Sequence, residues 1–388
     1  MPLNYLNLRP QITHLGEATA SRQTELASRL QQCQALLHDQ AGNLVRLQQK
    51  VEQAAAKEKN LRCAVPVTEP LDAHFPAPQT SLACTILSAD GSQITPNPHE
   101  AVFYGVVNVG VFRMQPGSGL APSTEVDTEL IYEEGNPDEN ELITEELVNL
   151  RRDVRERQIL ARLAKDIPAP VFTLTDGPLE LYHEPRENAQ YKHYFEEYLD
   201  ALSDLALLNA ITAGYVDRPR AALLVNLLEL AARPDAAADR ISHPFAGLSD
   251  LALMRALLSP GERSAVFALQ SRSSKEFTGR KALHFFYLDV GSETRPVIAR
   301  VEIPLWVAGS PDSLALLHAL LLDQAHQSGA HPYPYALIRA HETAVVKLDE
   351  GEALKLLIQK ELLQRGLPLS ADSEKLVNKK VGVRTRYP

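Results

Sequence analysis

Hydrophobic positions near the N-terminus recur with the spacing of an amphipathic helix. From Leu26 to Ala54 they follow steps of four and three residues, and Gln40 is the one polar member of the series. This pattern predicts one long helix, or two antiparallel helices that turn at Gly42, because glycine disfavours a helix interior. Such a helical segment either packs on its own domain or forms an arm for dimerisation or partner docking.

A proline-rich segment separates this helical region from the rest of the chain. Residues 64–81 contain four prolines, and proline cannot serve in a helix interior or a central strand. We therefore expect a linker or an extended strap, followed by a new domain that begins at residue 82.

Three strands are predicted at the start of this domain. Apolar and β-branched residues at 85–94 and 101–114 predict a hairpin. Residues 123–146 hold ten acidic side chains and no Lys or Arg. This composition favours a solvated edge strand at 129–132 and a loop.

The rest of the pattern alternates helices with strands. A helix at 141–165 precedes a buried strand at 170–175. Later segments predict helices at 191–210, 220–231, 248–258, 313–327, 336–345 and 351–364, and strands at 211–216, 284–290 and 297–303. Three strands followed by alternating helices and strands predict an α/β fold with a mixed sheet flanked by helices.

Charge and cysteine content narrow the class of protein. The 388-residue chain has 39 Lys and Arg against 49 Asp and Glu, a formal net charge of −10. This balance argues against coating nucleic acid by bulk positive charge, but it permits a local basic groove. Three cysteines without a CxxC pair argue against a disulfide framework or a cysteine zinc site. With no signal-peptide pattern and no apolar stretch of about 20 residues, we expect a cytoplasmic protein without a membrane segment.

Two Asp-Gly pairs lie at predicted strand ends. Asp90 ends the first strand, and Asp176 ends the buried strand at 170–175. Taken alone, each pair is most often a turn without chemistry. If the two strands are neighbours, however, both carboxylates emerge at one edge of the sheet, where they can hold divalent cations across a scissile phosphate.

A third carboxylate is expected from the helix between these two strands. Glu156 is the first choice, and Asp153 and Glu146 are the alternatives. A charged helical segment of this kind is by itself more often a solvated face. The three acids would complete a site for metal-assisted phosphodiester cleavage.

Arginines that follow other strands are candidates for binding DNA phosphates. Arg300 shares one face of its strand with Glu302, where it forms either a cross-strand ion pair or a phosphate contact. Arg218 and Arg220 follow the strand at 211–216 and are further phosphate-binding candidates, whereas Asp217 is a weaker candidate for the metal site.

The order of these features resembles the NurA family of DNA end-processing nucleases, which has a ribonuclease H-like fold. The resemblance spans residues 82–350 and is carried by five short motifs in the family's order. They are SADGS (88–92), RRDVRERQIL (151–160), TLTDGPL (173–179), ARVEIPLWVA (299–308) and YPYALIRAH (333–341).

The resemblance implies a DNA exonuclease and endonuclease that depends on Mn²⁺, with Mg²⁺ as the alternative ion. It also implies a homodimer and a hexameric HerA-type ATPase partner that feeds DNA to the nuclease. Carried over to this sequence, Asp90, Glu156 and Asp176 are the acidic metal-site residues, and Tyr333 and His341 form a C-terminal active-site pair. His341 would ligate the metal or donate a proton to the leaving oxygen.

These inferences divide the chain into four parts. They are an N-terminal helical arm (1–63), the linker (64–81), a ribonuclease H-like nuclease domain with helical insertions (82–350), and a C-terminal helix with a basic tail (351–388). The biological role, DNA repair or defence against foreign DNA, is left open. The alternative function is a non-catalytic dimeric adaptor that docks an ATPase, in which the same carboxylates only form turns.

Overall fold

The computed structural model describes residues 3–97, 102–132, 143–181, 189–233 and 243–367. Packing divides the chain into two units, each assembled from three chain segments. Unit 1 comprises Met1–Leu82, Gly177–Glu180 and Thr212–Pro334, and unit 2 comprises Ala83–Asp176, Leu181–Ile211 and Tyr335–Pro388. This division replaces the simple succession of arm, linker and nuclease domain expected from the sequence.

The helices and strands are numbered along the chain. The described helices are α1 (Tyr5–Asp39), α2 (Leu44–Lys57), α3 (Glu145–Ala164), α4 (Ala189–Leu207), α5 (Leu223–Ala232), α6 (Asp250–Leu257), α7 (Leu305–Ala308), α8 (Pro311–Gln327), α9 (Tyr335–Ala344) and α10 (Leu348–Gln364). The described strands are β1 (Cys63–Pro66), β2 (His74–Phe75), β3 (Thr85–Ile94), β4 (Tyr104–Met114), β5 (Ser123–Tyr132), β6 (Val171–Asp176), β7 (Ile211–Asp217), β8 (Arg263–Ser264), β9 (Phe267–Gln270), β10 (Leu283–Asp289) and β11 (Ile298–Pro304).

The heptad pattern at the N-terminus folds as two helices rather than one. Helices α1 and α2 are joined by a turn at residues 40–43. Cys33, Leu37, Leu47 and Val51 are buried, and the two helices pack against α5 and α6 of the same unit. The helix pair therefore packs on its own domain, whereas most of the side chains in the first part of α1 are exposed.

The proline-rich segment is part of the sheet of unit 1. Strand β1 pairs antiparallel with β9, β2 pairs with β8, and Leu71 between them is fully buried. The prediction of a linker at 64–81 is therefore wrong. The extended conformation was anticipated, but four-residue and two-residue strands depend on partners that are distant in sequence. In this unit the strand order is β1-β9-β10-β11-β7, and each neighbouring pair is antiparallel.

Unit 2 contains the strands that carry the candidate acids. Its strand order is β6-β3-β4-β5, in which β3, β4 and β5 are antiparallel and β6 runs parallel to β3. Helix α3 lies between β5 and β6 in the chain and packs on β3 and β4, and α9 packs on the same two strands. The predicted mixed sheet flanked by helices is confirmed.

The acidic edge strand is longer than predicted and is paired with basic residues. On β5, Glu125, Asp127 and Glu129 alternate along one face, and each forms an ion pair with an arginine of α3. Residues 123–146 contain no Lys or Arg. The arginines that pair with these acids lie on the helix that follows, α3. The part of the predicted loop at 133–142 and the basic tail at 368–388 lie outside the described residues.

Candidate active site

Asp90 lies within a strand and not in a turn. Strand β3 continues through Asp90, Gly91 and Ser92 to Ile94 and keeps its register with β4, in which Asp90 is opposite Gly110. The prediction that Asp90 ends the strand is therefore wrong, although Asp176 does end β6 and is followed by Gly177 at φ +85°. Strand pairing with β4 both before and after Asp90 therefore holds the backbone of Asp90 in place.

The two aspartates are neighbours across the parallel pair β3 and β6. Ala89 is in register with Thr175, so Asp90 and Asp176 are the next residues on adjacent strands. Neighbouring strands are about 5 Å apart, and residues in register point to the same face of a sheet. The two strands are neighbours, as the prediction required, but the carboxylates share a face of the sheet and not the predicted edge, since β3 continues beyond Asp90.

His341 approaches Asp90 from helix α9. Its Nδ1 lies 2.6 Å from Oδ2 of Asp90, while Oδ1 of Asp90 accepts a hydrogen bond from the amide of Gly91 at 2.9 Å. The Asp90 side chain is 15% exposed and that of His341 is 67% exposed, so the pair opens to solvent on the imidazole side. The structure brings together two residues that are 251 positions apart in the sequence.

Close packing of α9 on the sheet positions His341. Gly110 faces α9, and a Cβ at this position would lie 2.7 Å from the carbonyl carbon of Thr343 and 2.8 Å from the carbonyl oxygen of Ala340. At the end of the helix, the carbonyl of Ala344 accepts hydrogen bonds from Ser92 Oγ at 2.5 Å and from Asn108 Nδ2 at 2.7 Å. Strands β3 and β4 thereby fix how close α9 lies to the sheet and where the helix ends.

Glu156 reaches β3 from the α3 side. Its side chain is 9% exposed, and Oε1 lies 2.6 Å from the place that a Cβ of Gly91 would occupy. Because consecutive strand residues point to opposite faces, Gly91 faces α3 while Asp90 faces α9. The absence of a side chain at Gly91 allows the Glu156 carboxylate to contact the strand next to Asp90.

Burial sets the charge state of Glu156. Desolvation raises the pKa of its carboxyl well above the ordinary value, and the nearby carboxylates of Asp153 and Asp90 raise it further, whereas Arg152 lowers it. The Arg152 guanidinium is 3.6 Å away, and within the described residues Glu156 has no hydrogen-bond donor. A buried carboxylate without donors is a group that a cation would stabilise.

The two alternative acids on α3 are placed differently. Asp153 accepts two hydrogen bonds from Arg152, at 2.8 and 3.1 Å. Glu146 is exposed in the first turn of the helix, where its own backbone amide and Thr144 lower the pKa of its carboxyl. Ten residues of helix separate it from Glu156, or about 15 Å. Glu156 is the one of these three acids that reaches β3, at Gly91.

The donor chemistry of unit 2 fits a divalent cation. Carboxylate oxygens and a neutral imidazole are ligands for Mn²⁺ and Mg²⁺ sites. Within the described ranges, however, no three His, Cys, Asp or Glu side chains are gathered closely enough to hold one ion.

The other predicted site residues belong to unit 1. Tyr333 packs edge-on against Tyr215 with 5.2 Å between ring centroids. Arg218 is exposed at φ +44° and lies 3.6 Å from Asp217, and Arg220 is exposed. Both arginines are thus open to solvent and remain candidates for phosphate contacts.

The proposed role of Arg300 in DNA binding is wrong. Its side chain is 5% exposed and pairs with Oε1 of Glu302 at 2.8 Å. The second oxygen of Glu302 accepts hydrogen bonds from the amides of Leu179 and Glu180, at 2.9 and 3.3 Å. The ion pair joins two residues of one strand and is not the cross-strand pair that the sequence suggested. Through Glu302 it also helps to hold residues 179–180.

Sequence analysis did not assign roles to Arg152, Gln93 or Gly91. Arg152 lies beside the site, with Gln93 Oε1 accepting a hydrogen bond from its Nη1 at 2.9 Å. The four-residue spacing of Arg152 and Glu156 is the one feature of the sequence that could have placed Arg152 beside Glu156. Nothing in the sequence showed that Gly91 faces a helix.

One known protein family matches most of this chain. The NurA domain model matches residues 84–346, more than half of the chain. The chain belongs to the NurA family. Membership of the NurA family supports a nuclease, and no curated protein matches the sequence.

Several solved nuclease structures are similar to this chain. The NurA nuclease from Sulfolobus solfataricus is 12% identical, with a TM-score of 0.51, over 85% of this chain and 95% of that chain. The catalytic domain of human Endonuclease V is 13% identical, with a TM-score of 0.32, over 82% and 96%. LC9-RNase H1 is 15% identical, with a TM-score of 0.20, over 32% and 60%. The match to the NurA structure agrees with the mixed α/β fold described above. Among the described helices, none is long and apolar enough to cross a membrane.

Proposed function

We propose that this NurA-family chain is a metal-dependent DNA nuclease that hydrolyses phosphodiester bonds as an exonuclease and an endonuclease. The observation that carries the proposal is the juxtaposition of Asp90 and Asp176 on adjacent strands, with His341 hydrogen-bonded to Asp90 and Glu156 buried beside Gly91. Asp90 is near enough to raise the pKa of the Glu156 carboxyl, and a bound cation would relieve this repulsion between like charges.

Each residue has a defined part in this proposal. Asp90 and Asp176 would hold Mn²⁺, or alternatively Mg²⁺, and Glu156 and His341 would complete the site. A bound divalent ion supplies an activated water and neutralises charge on the phosphoryl oxygens. Asp90 would orient His341 by accepting a hydrogen bond from Nδ1–H. This leaves Nε2, on the far side of the ring from Asp90, to bind a second ion or to exchange a proton with the leaving oxygen.

The test is degradation of linear DNA by the purified protein in the presence of Mn²⁺. We expect Asp90→Asn and Glu156→Gln to lower the rate by about 100-fold or more, since loss of a metal ligand costs about 3 kcal/mol or more of transition-state stabilisation. Asp153→Asn is the matched control, because this acid lies on the same helix but binds Arg152.

Binding of Mn²⁺ provides a second readout that does not depend on DNA. Electron paramagnetic resonance should show weaker Mn²⁺ binding in the Asp90 and Glu156 variants and little change in Asp153→Asn. Equal degradation by all variants would assign the cleavage to a contaminant and leave the adaptor function. A stronger loss in Asp153→Asn than in Glu156→Gln would make Asp153 the third acid.

DNA contact in this acidic protein requires local basic groups. We propose that Arg218 and Arg220 contact phosphates, because both are exposed. Replacing both with Ala should reduce the slope of log affinity against log salt by about 2, since each lost phosphate contact removes about 0.9. The control is Arg365→Ala, an exposed arginine directly after α10 that pairs with Glu361. An unchanged slope would remove these arginines from the DNA-binding surface.

The assembly is also a proposal. Family resemblance supports a homodimer and a hexameric HerA-type ATPase partner that delivers DNA ends. Co-expression with such an ATPase, followed by size-exclusion chromatography with light scattering, tests both statements. A monomeric nuclease that elutes apart from the ATPase would contradict them.

A further inference from the structure

Unit 1 contains a cavity that has no part in the proposed nuclease chemistry. Its volume is about 530 Å³, and it lies between the proline-rich segment at 67–78 and the start of α8. Phe75, Pro76, Leu305 and Leu314 contribute apolar walls. Volumes of about 300 to 1,000 Å³ with mainly apolar walls and a few polar groups are typical of small-molecule sites.

The charged groups in this cavity are already paired. Nη1 and Nη2 of Arg263 lie 3.2 and 3.0 Å from the two carboxylate oxygens of Glu69, and the guanidinium carbon lies 3.9 Å from the centroid of the Phe75 ring. Glu69 also accepts a hydrogen bond from the amide of Val266 at 2.7 Å. A charged ligand would find no opposite charge available, so the cavity favours an uncharged one.

Two buried histidines supply hydrogen-bond acceptors. Nδ1 of His284 lies 3.0 Å from the carbonyl oxygen of Ala282, and Nε2 of His318 lies 2.8 Å from the carbonyl oxygen of Gly261. A carbonyl only accepts, so each of these nitrogens carries the proton, and the other nitrogen of each neutral ring is an acceptor. Burial lowers the pKa of both imidazoles, that of His318 to about 4, which keeps the rings neutral at pH 7.

The second nitrogen of each ring has no hydrogen-bond partner in the described part of the chain. Both histidines line the cavity and are nearly fully buried, at 6% and 1% exposure. Unpaired acceptors in an apolar cavity select for a molecule that brings its own donors. The cavity walls therefore suit the apolar surface of a ligand, and the histidine nitrogens suit an N–H or O–H donor on that ligand.

We propose that this cavity is a binding site for a small, uncharged, mainly apolar molecule that donates a hydrogen bond from N–H or O–H. The proposal is independent of the nuclease function, since none of the residues that line the cavity is proposed to bind metal or DNA. The ligand's donor would bond to the free ring nitrogen of His284 or His318, and its apolar part would pack between Phe75 and Leu314.

The test uses indole as the probe and 1-methylindole, which lacks the donor, as its matched analogue. Isothermal titration calorimetry on the full-length protein should detect indole binding, with 1-methylindole at least about fivefold weaker because one hydrogen bond is lost. Equal binding of the two compounds, or no binding of indole at its solubility limit, would overturn the proposal.

A pair of variants localises the binding. Ala315→Phe should fill the cavity and abolish indole binding, because Ala315 lines it. Ala319→Phe, the same change one turn later on α8 and outside the lining, should preserve binding. Retention of indole binding in a folded Ala315→Phe variant would place the indole elsewhere and contradict the assignment.

Discussion

At the scale of single residues, the candidate site depends on a glycine as much as on its acids. Gly91 leaves the space in which Glu156 meets β3, so that an acid from one face of the sheet lies next to Asp90, which faces the other. The Asp-Gly-Ser sequence was interpreted as a turn, because this is its commonest local use. A helix packed against the glycine overrode that local preference, and a single sequence carries no signal of such a contact.

Gly91→Ala should therefore lower activity with only a modest cost in stability. The new Cβ would lie 2.6 Å from Oε1 of Glu156 and closer still to Cγ of Arg152, so both side chains must move. We expect a destabilisation of about 1 kcal/mol, together with weaker Mn²⁺ binding and slower DNA degradation. Gly16→Ala, where a Cβ meets nothing within 4 Å, is the control. Full activity of Gly91→Ala would show that the carboxylate position is unimportant.

His318 makes stability depend on pH. Burial lowers its pKa from 6.5 to about 4 in the folded protein. Between these values the unfolded chain binds a proton that the folded chain does not, so stability is complete above pH 6.5 and falls as the pH drops towards 4. The contribution lost is at most about 3 kcal/mol.

Urea unfolding of the protein at pH 7, 6 and 5 measures this effect. His318→Gln retains an amide donor for the carbonyl of Gly261 but cannot titrate, so its stability should fall less steeply with acidification than that of the unmodified protein. His326→Gln, a change of an exposed histidine on the same helix, should leave the slope unchanged. Parallel slopes for all three proteins would contradict the assignment.

At the scale of elements, most long helices and strands were predictable from the sequence. Helix α9 was expected at 336–345 and lies at Tyr335–Ala344, and β11 was expected at 297–303 and lies at Ile298–Pro304. Strands β1, β2, β8 and β9 were missed because each has four residues or fewer. Such strands have too few positions for a periodic pattern, and distant partners determine their pairing.

Backbone packing at Gly110 should be more sensitive than packing at Gly105 on the same strand. A Cβ at Gly110 meets backbone atoms of α9, whereas one at Gly105 meets a methyl group of Val148. A side chain adjusts more readily than a helix, so we expect Gly110→Ala to destabilise by about 3 kcal/mol and Gly105→Ala by about 1 kcal/mol. Chemical denaturation of both variants makes the comparison. Equal losses would mean that α9 shifts without cost.

At the scale of the whole molecule, neither unit is a continuous piece of chain. The sequence suggested an arm, a linker and one nuclease domain, but each unit uses three separate segments. The last chain segment of unit 2 supplies α9, which packs on β3 and β4. The boundaries between the units are set by packing between distant chain segments. The proline-rich composition of residues 64–81 instead suggested a linker that divides the chain there.

Two truncations should therefore behave differently. Ending the chain after Lys347 removes α10, which has no buried side chain in the described residues, and should change the melting temperature by only a few degrees. Ending it after Pro334 also removes α9 and exposes the Gly110 face of β4, so we expect an insoluble or unfolded product. Differential scanning calorimetry of both proteins provides the measurement. A stable protein ending at Pro334 would show that α9 is dispensable for the core.

The late position of α9 has a consequence for biosynthesis. A ribosome has synthesised Asp90, Glu156 and Asp176 long before it reaches His341, and domains fold as their segments emerge. The nascent chain therefore holds its acids without their imidazole partner and with one side of β4 uncovered. On the proposed chemistry, the enzyme acquires its cutting ability only after α9 has emerged, well after all three of its acids have been made.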